Sequence, residues 1–293
     1  MPTLLAQLLA AAPVVTDGAW GTQLQARGLA AGACAEEWNL TRPDDVEAVA
    51  RAYVAAGSRV ILTNTFGGNA MALAKYGLAD RVDELNRAGA ALSCRAAAGA
   101  ARVFASLGPS GKLLLTGEVE EGPLREAFRR QAGALAAGGA DAIVVETMTD
   151  LEEARLAVAA AHETGLPVVG CMVFDAGPDH TRTIMGTTPA AAAAALVEAG
   201  ADVIGANCGQ GIAGFLPVCV QLRQATDRPL WLKANAGLPQ VVDGRLVYDM
   251  QPDVFAALAQ PLVGAGAAFI GGCCGTSPAF VAQLAAALNP TVG

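Results

Sequence analysis

The sequence predicts an α/β protein folded as a single (β/α)₈ (TIM) barrel over residues 1–293. Eight short runs of β-branched and aliphatic residues alternate with longer Ala/Leu-rich segments of helical period. The runs are apolar on both faces, as strands of a parallel sheet covered by helices must be. Glycine-led pairs, among them Gly139-Ala140, Gly200-Ala201 and Gly266-Ala267, recur just before runs, where a helix ending on glycine turns back into the next strand. The competing architecture is an open doubly wound sheet, which calls for a phosphate loop after the first strand. The segment Asp17-Gly18-Ala19-Trp20-Gly21-Thr22 lacks the G-x-G-x-x-G spacing of such a loop.

In chain order, strands are expected at Val14 to Thr16, Val60 to Asn64, Val103 to Leu107, Ala142 to Glu146, Val168 to Phe174, Val203 to Asn207, Leu230 to Asn235 and Ala268 to Gly272. Helices are expected at Asp44 to Ala56, Val82 to Ala98, Glu121 to Ala137, Asp150 to Glu163, Pro189 to Ala199, Gly214 to Ala225, Pro252 to Val263 and Pro278 to Leu288. Asp150 and Ser277 stand where N-caps belong, and Pro43, Pro189 and Pro278 stand near first turns. No Pro/Ser-rich linker interrupts the alternation, so one domain is expected.

Composition narrows the function. With 19 basic against 27 acidic side chains the net charge is −8, and no Lys/Arg run is present. Phosphate backbones and anionic lipid surfaces need the opposite footprint, so neither nucleic acid nor membrane is an expected partner. No apolar run approaches the roughly 18 residues of a bilayer span. The N-terminal MPTLLAQLLAAAPVV imitates a signal sequence, but no basic residue precedes Arg27. Seven cysteines, an odd number with two adjacent, do not suit a disulfide framework and fit a reducing cytoplasm with thiol or metal chemistry.

Barrel active sites form at the C-terminal ends of the strands. Asp17 follows the first run, Asn64 and Thr65 the second, Glu146 and Thr147 the fourth, Asn207 and Cys208 the sixth, Asn235 the seventh, and Gly271-Gly272-Cys273-Cys274-Gly275-Thr276 the eighth. Zinc takes thiolates in tetrahedral geometry, and a catalytic site uses three protein ligands and keeps one position open. Cys208, Cys273 and Cys274 would supply three. Adjacent cysteines point oppositely within a strand, but flanking glycines let the backbone turn at a strand end and aim both sulfurs inward. Small hydrophobes at the rim, or a vicinal redox pair, would leave the same pattern. Cys34 lies in the loop after the first run, Cys94 and Cys219 sit in helices among apolar neighbours, Cys171 interrupts the fifth run, and all four are expected to pack. His162 and His180 belong to no hydrolytic arrangement. Asp17 and Glu146, if both face the mouth, could clamp an ammonium by charge-assisted hydrogen bonds. Lys233, inside Trp231-Leu232-Lys233-Ala234, is either a Schiff-base lysine or one that snorkels to the rim.

At Asp17-Gly18-Ala19-Trp20-Gly21-Thr22, Thr63-Asn64-Thr65-Phe66, Gly205-Ala206-Asn207-Cys208-Gly209 and Gly271-Gly272-Cys273-Cys274-Gly275-Thr276, the chain resembles the homocysteine S-methyltransferase family over almost its whole length. The resemblance implies a catalytic Zn²⁺ held by Cys208, Cys273 and Cys274. It also implies a homocysteine amino group held by Asp17 and Glu146, with Gly18 and Thr65 where that family contacts the amino acid and Asn207 and Asn235 beside them. The implied reaction moves a methyl group to the homocysteine sulfur, giving methionine. Within the family the donor is methylcobalamin on a partner domain, a sulfonium, or betaine. The segment from Lys233 to Pro239 looks most like the homocysteine-binding module of cobalamin-dependent methionine synthase. The chain ends soon after the helix following the eighth run, without a folate- or cobalamin-binding region. A stand-alone homocysteine module is therefore expected, served by a separate methylcorrinoid protein or by a small donor. An aldolase built on Lys233 and a non-catalytic, zinc-containing subunit of a methyltransferase complex are the alternatives.

Overall fold

The computed structural model describes residues 2–242 and 245–288. Strands β1 (Val14–Val15), β2 (Val60–Ile61), β3 (Arg102–Leu107), β4 (Ala142–Met148), β5 (Val168–Met172), β6 (Val203–Cys208), β7 (Leu230–Ala234) and β10 (Ala267–Gly272) form one eight-stranded sheet. From β2 to β7 each pairs in parallel with the next, and β10 joins β7 to β1. A parallel bridge between Thr16 and Val60 spans the seam from β1 to β2 and closes the barrel. Outside it lie α4 (Pro43–Ala55), α6 (Val82–Ala97), α7 (Glu121–Ala137), α8 (Leu151–His162), α9 (Pro189–Glu198), α10 (Phe215–Ala225), α11 (Pro252–Gly264) and α12 (Pro278–Leu288). Asp150, Pro43 and Pro189 act as expected. Asp150 caps α8 by accepting from the Glu152 and Glu153 amides, and Pro43 and Pro189 open α4 and α9.

The two-residue period of a strand separates two apolar layers. On β4, Ile143 and Val145 face the helices while Val144 faces the barrel axis; on β7, Leu230 and Leu232 face out and Trp231 faces in. Inside, the Trp231 ring stacks on Phe104 at 5.8 Å and packs against Phe269 at 5.3 Å. Gly205 makes room for this layer, since a Cβ there would lie 2.1 Å from the Trp231 carbonyl oxygen. The short α1 (Thr3–Leu9) brings Leu5 and Leu8 into the interior cluster and plugs the N-terminal end. One more step along each strand places Glu146 and Lys233 on the inner face, at the C-terminal mouth.

Several boundaries differ from expectation. The second run, expected to continue to Asn64, ends its ladder at Ile61 because the Leu62 amide donates to the Asp17 carboxylate at 2.7 Å. The fifth and seventh runs stop at Met172 and Ala234. Three short helices occupy the strand-to-helix loops without a counterpart in the sequence pattern, α2 (Gly21–Gln25), α3 (Trp38–Thr41) and α5 (Ala70–Ala74). The same holds for a hairpin of β8 (Gln240–Val242) and β9 (Arg245–Val247) between β7 and α11. No helix among the described residues is long and apolar enough to cross a membrane.

Candidate functional site

A cavity of about 300 Å³ opens at the C-terminal mouth, lined among others by Gly18, Trp20, Glu146, Lys233, Cys208 and Cys273. The three cysteine sulfurs singled out in the sequence, those of Cys208, Cys273 and Cys274, lie within 4.8 Å of one another.

The backbone explains how they meet. After β10 the Cys273 amide donates to the Ala234 carbonyl at 2.7 Å, and the Ala236 amide donates to the Cys274 carbonyl at 2.9 Å. Gly275 then turns the chain with φ of 82°, and Thr276 ties the turn by donating its hydroxyl to the Cys273 carbonyl at 2.7 Å. Both adjacent thiols thus leave strand geometry and point the same way. Cys208 is aimed differently. It has φ of 61°, a left-handed conformation that a side chain adopts at a cost, and Thr147 across from it has φ of 63°. Asn207 holds the pair, accepting from the Thr147 amide and donating to the Thr147 hydroxyl, each at 2.7 Å.

The donor set suits a soft cation. Cys208 and Cys273 sulfurs are 3.1 Å apart, too far for a disulfide and close for two thiols. Hydrogen bonds from Cys208 and Cys273 pull the Cys274 thiol down to about 3, while the same contacts push Cys208 far above its ordinary range. Three thiolates brought this close repel one another and need a cation among them. Tetrahedral zinc–thiolate geometry, with sulfurs about 2.3 Å from the metal, requires such a convergence of three sulfurs.

The carboxylates have separate surroundings. Glu146 lines the cavity, accepts a hydrogen bond from the Ser106 hydroxyl, and is pushed up to about 7 by burial, against the pull of Lys233. Asp17 is fully buried behind the wall. Its Oδ2 accepts from the Trp20 indole at 2.8 Å and the Leu62 amide at 2.7 Å, and its Oδ1 is paired with Lys233. Lys233 does not snorkel: it is 1 % exposed and its amine is engaged by Asp17.

The remaining expected residues fall around this cavity. Gly18 lines it, and a Cβ there would stand 2.8 Å from both the Thr276 and Tyr53 hydroxyls. Thr65 is buried behind the lining, donating to the Ser106 carbonyl at 2.7 Å. Asn235 donates to the Gly209 carbonyl at 2.8 Å, and its amide oxygen is buried without a partner. Cys34, Cys171 and Cys219 are buried elsewhere, Cys94 is half-buried on α6, and all are free thiols. His180 is exposed and hydrogen-bonded in its own loop. Sequence reasoning missed Ser106 and the role of Thr147. The signal for Ser106 was a lone hydroxyl at an inward position of an otherwise apolar run.

Fold and site define a (β/α)₈ barrel protein with a three-thiol cluster and a buried carboxylate at its mouth. The chain belongs to the homocysteine S-methyltransferase family, whose model matches residues 14–288. It is 36% identical over 308 residues to a methionine synthase of Mycobacterium tuberculosis and 35% identical to that of Mycobacterium leprae, in each case over 98% of this chain. It spans a quarter of the length of those relatives. Among solved structures, the metallated form of the homocysteine methyltransferase MmuM from Escherichia coli superposes with a TM-score of 0.81 at 23% identity, covering 97% of this chain and 99% of that one. The apo form of MmuM gives 0.74 at 22% identity. At these identities the likeness is one of fold.

Proposed function

We propose that this chain transfers a methyl group from an activated donor to the sulfur of homocysteine, giving methionine. The observation that carries this is the convergence of Cys208, Cys273 and Cys274 beside Glu146 in one cavity. The three sulfurs would hold one Zn²⁺, which when bound lowers the pKa of a fourth, substrate thiol and keeps it available as a nucleophile.

The chain's own residues do the rest. Glu146, oriented by Ser106, holds the substrate ammonium by a charge-assisted hydrogen bond. Asn207 and Thr147 fix the direction of the Cys208 sulfur. The apolar cavity wall excludes water from the reacting sulfur and positions it for in-line displacement. In that displacement the sulfur forms a bond to the methyl carbon, and the bond from carbon to its carrier breaks with its electron pair going to the carrier. No general base is needed.

We infer a methylcorrinoid carried on a separate protein module as the donor. Support comes from the methionine synthase relatives and from the segment Lys233 to Pro239. A small sulfonium is the second donor of this family resemblance.

Zinc stoichiometry on the purified, reduced protein tests the centre. One zinc per chain is expected, lost or much weakened in Cys273→Ser. Supplying homocysteine with each donor in turn tests the rest; turnover with a sulfonium and none with methylcobalamin would remove the corrinoid donor.

A further inference from the structure

The ion pair with Asp17 does not use up the hydrogen-bonding capacity of Lys233. Its ammonium carries three N–H donors, and among the described residues its partner is the Asp17 Oδ1. The side chain is 2 % exposed, yet it lines the cavity. A buried cation with donors left over on a cavity wall is a site for an anion, because desolvated donors without partners are costly.

The surroundings say which anion. Asp17 is already saturated along one edge by the Trp20 indole and the Leu62 amide, so it fixes Lys233 in place rather than leaving it free to move. Glu146 lies close enough for Lys233 to pull its titration downward, and it faces the same cavity. A cation and an anion side by side on one cavity wall complement a zwitterion, with its ammonium on Glu146 and its carboxylate on Lys233. The alternation of β7 puts Lys233 one layer above Trp231, at the level of the strand ends where the cysteines converge.

We propose that Lys233 recognises the α-carboxylate of the substrate, making this site selective for α-amino acid thiols over simple aminothiols. This rests on the homocysteine reading above. Asp17 acts through Lys233 as a positioning residue and does not itself hold the substrate ammonium.

Calorimetric binding to the zinc-loaded protein tests this without reference to turnover. The two probes are L-homocysteine and aminopropanethiol, which keeps the thiol and the ammonium and lacks the carboxylate. The wild-type chain is expected to prefer homocysteine by roughly 10- to 100-fold, the range of a charge-assisted hydrogen bond. In Lys233→Met the preference should fall to within about threefold, and the ratio of the two affinities is the readout because Glu146, without the pull of Lys233, holds the ammonium of both probes less well. Because Lys233→Met leaves Asp17 buried without its counterion, Asp17→Asn/Lys233→Met serves as the charge-neutral second variant, with the same expectation. If both variants keep the preference, or lose affinity for both thiols alike, Lys233 is only the counterion of Asp17 and the proposal is overturned. If zinc binds but neither thiol binds the wild-type chain, the homocysteine reading itself fails, and this inference with it.

Discussion

Glu146 must be charged to hold an ammonium, and its burial opposes that charge. Pushed up to about 7, it is largely protonated at pH 6 and largely ionised at pH 8. The sign follows: the ionised form is the binding form, so affinity for a zwitterionic ligand falls as pH drops below about 7 and levels off above it. L-Methionine is the probe of choice, because its thioether has no proton to lose and the pH dependence then reports the protein. Its dissociation constant should rise about tenfold per pH unit below 7, as expected for one proton. Glu146→Gln should bind weakly and with a flat profile, and a wild-type profile that is equally flat would remove Glu146 from ammonium recognition. The cysteines of this site could be read from the sequence because two adjacent thiols between glycines at a strand end can turn to one side, where a third strand-end thiol can meet them. Lys233 stood out as a cation within an apolar run. Its partner could not be read, because Asp17 lies 216 positions away and only barrel closure brings the two together.

Strand ends are where this molecule departs from regular geometry, and that is where its chemistry sits. The periodic parts, including α7 at Glu121–Ala137 and α12 at Pro278–Leu288, were legible to the residue because burial alternates with exposure along them. The hairpin of β8 and β9 and the short loop helices were not, since their pairing is local to long loops with little apolar periodicity. The left-handed backbone at Thr147 and Cys208 was also hidden, for neither residue type announces a positive φ. These two conformations depend on the two hydrogen bonds Asn207 makes to Thr147. Asn207→Ala keeps all three sulfurs but releases the backbone that aims one of them. Zinc affinity, measured by competition with a chromophoric chelator, should therefore fall by about 10- to 100-fold, as for loss of an outer partner that orients a metal ligand. An unchanged affinity would show that Cys208 finds its direction without help.

The barrel as a whole divides its work between its ends, with Leu5 and Leu8 plugging one and the thiol cluster at the other. Cys208 terminates β6, and Cys273 and Cys274 follow β10, with β7 lying between them in the sheet. An ion held by all three would tie two non-adjacent strands across the mouth and would bind the folded chain more tightly, since the unfolded chain does not bring Cys208 to the Cys273–Cys274 pair. Linkage then makes the metal a stabiliser: at a free concentration a hundredfold above its dissociation constant it adds about 2.7 kcal/mol. For a chain of this size that corresponds to a rise of about 5 °C in the thermal midpoint. The wild-type protein stripped with a chelator and reloaded with zinc should show this rise, and Cys273→Ser should show little of it under the same conditions. Hydrogen exchange should slow on reloading at the ends of β6 and β10 and stay unchanged around α1, because the constraint acts at the mouth and the plug is a separate apolar cluster. A midpoint that rises equally in Cys273→Ser would place the stabilising ion somewhere other than the thiol cluster.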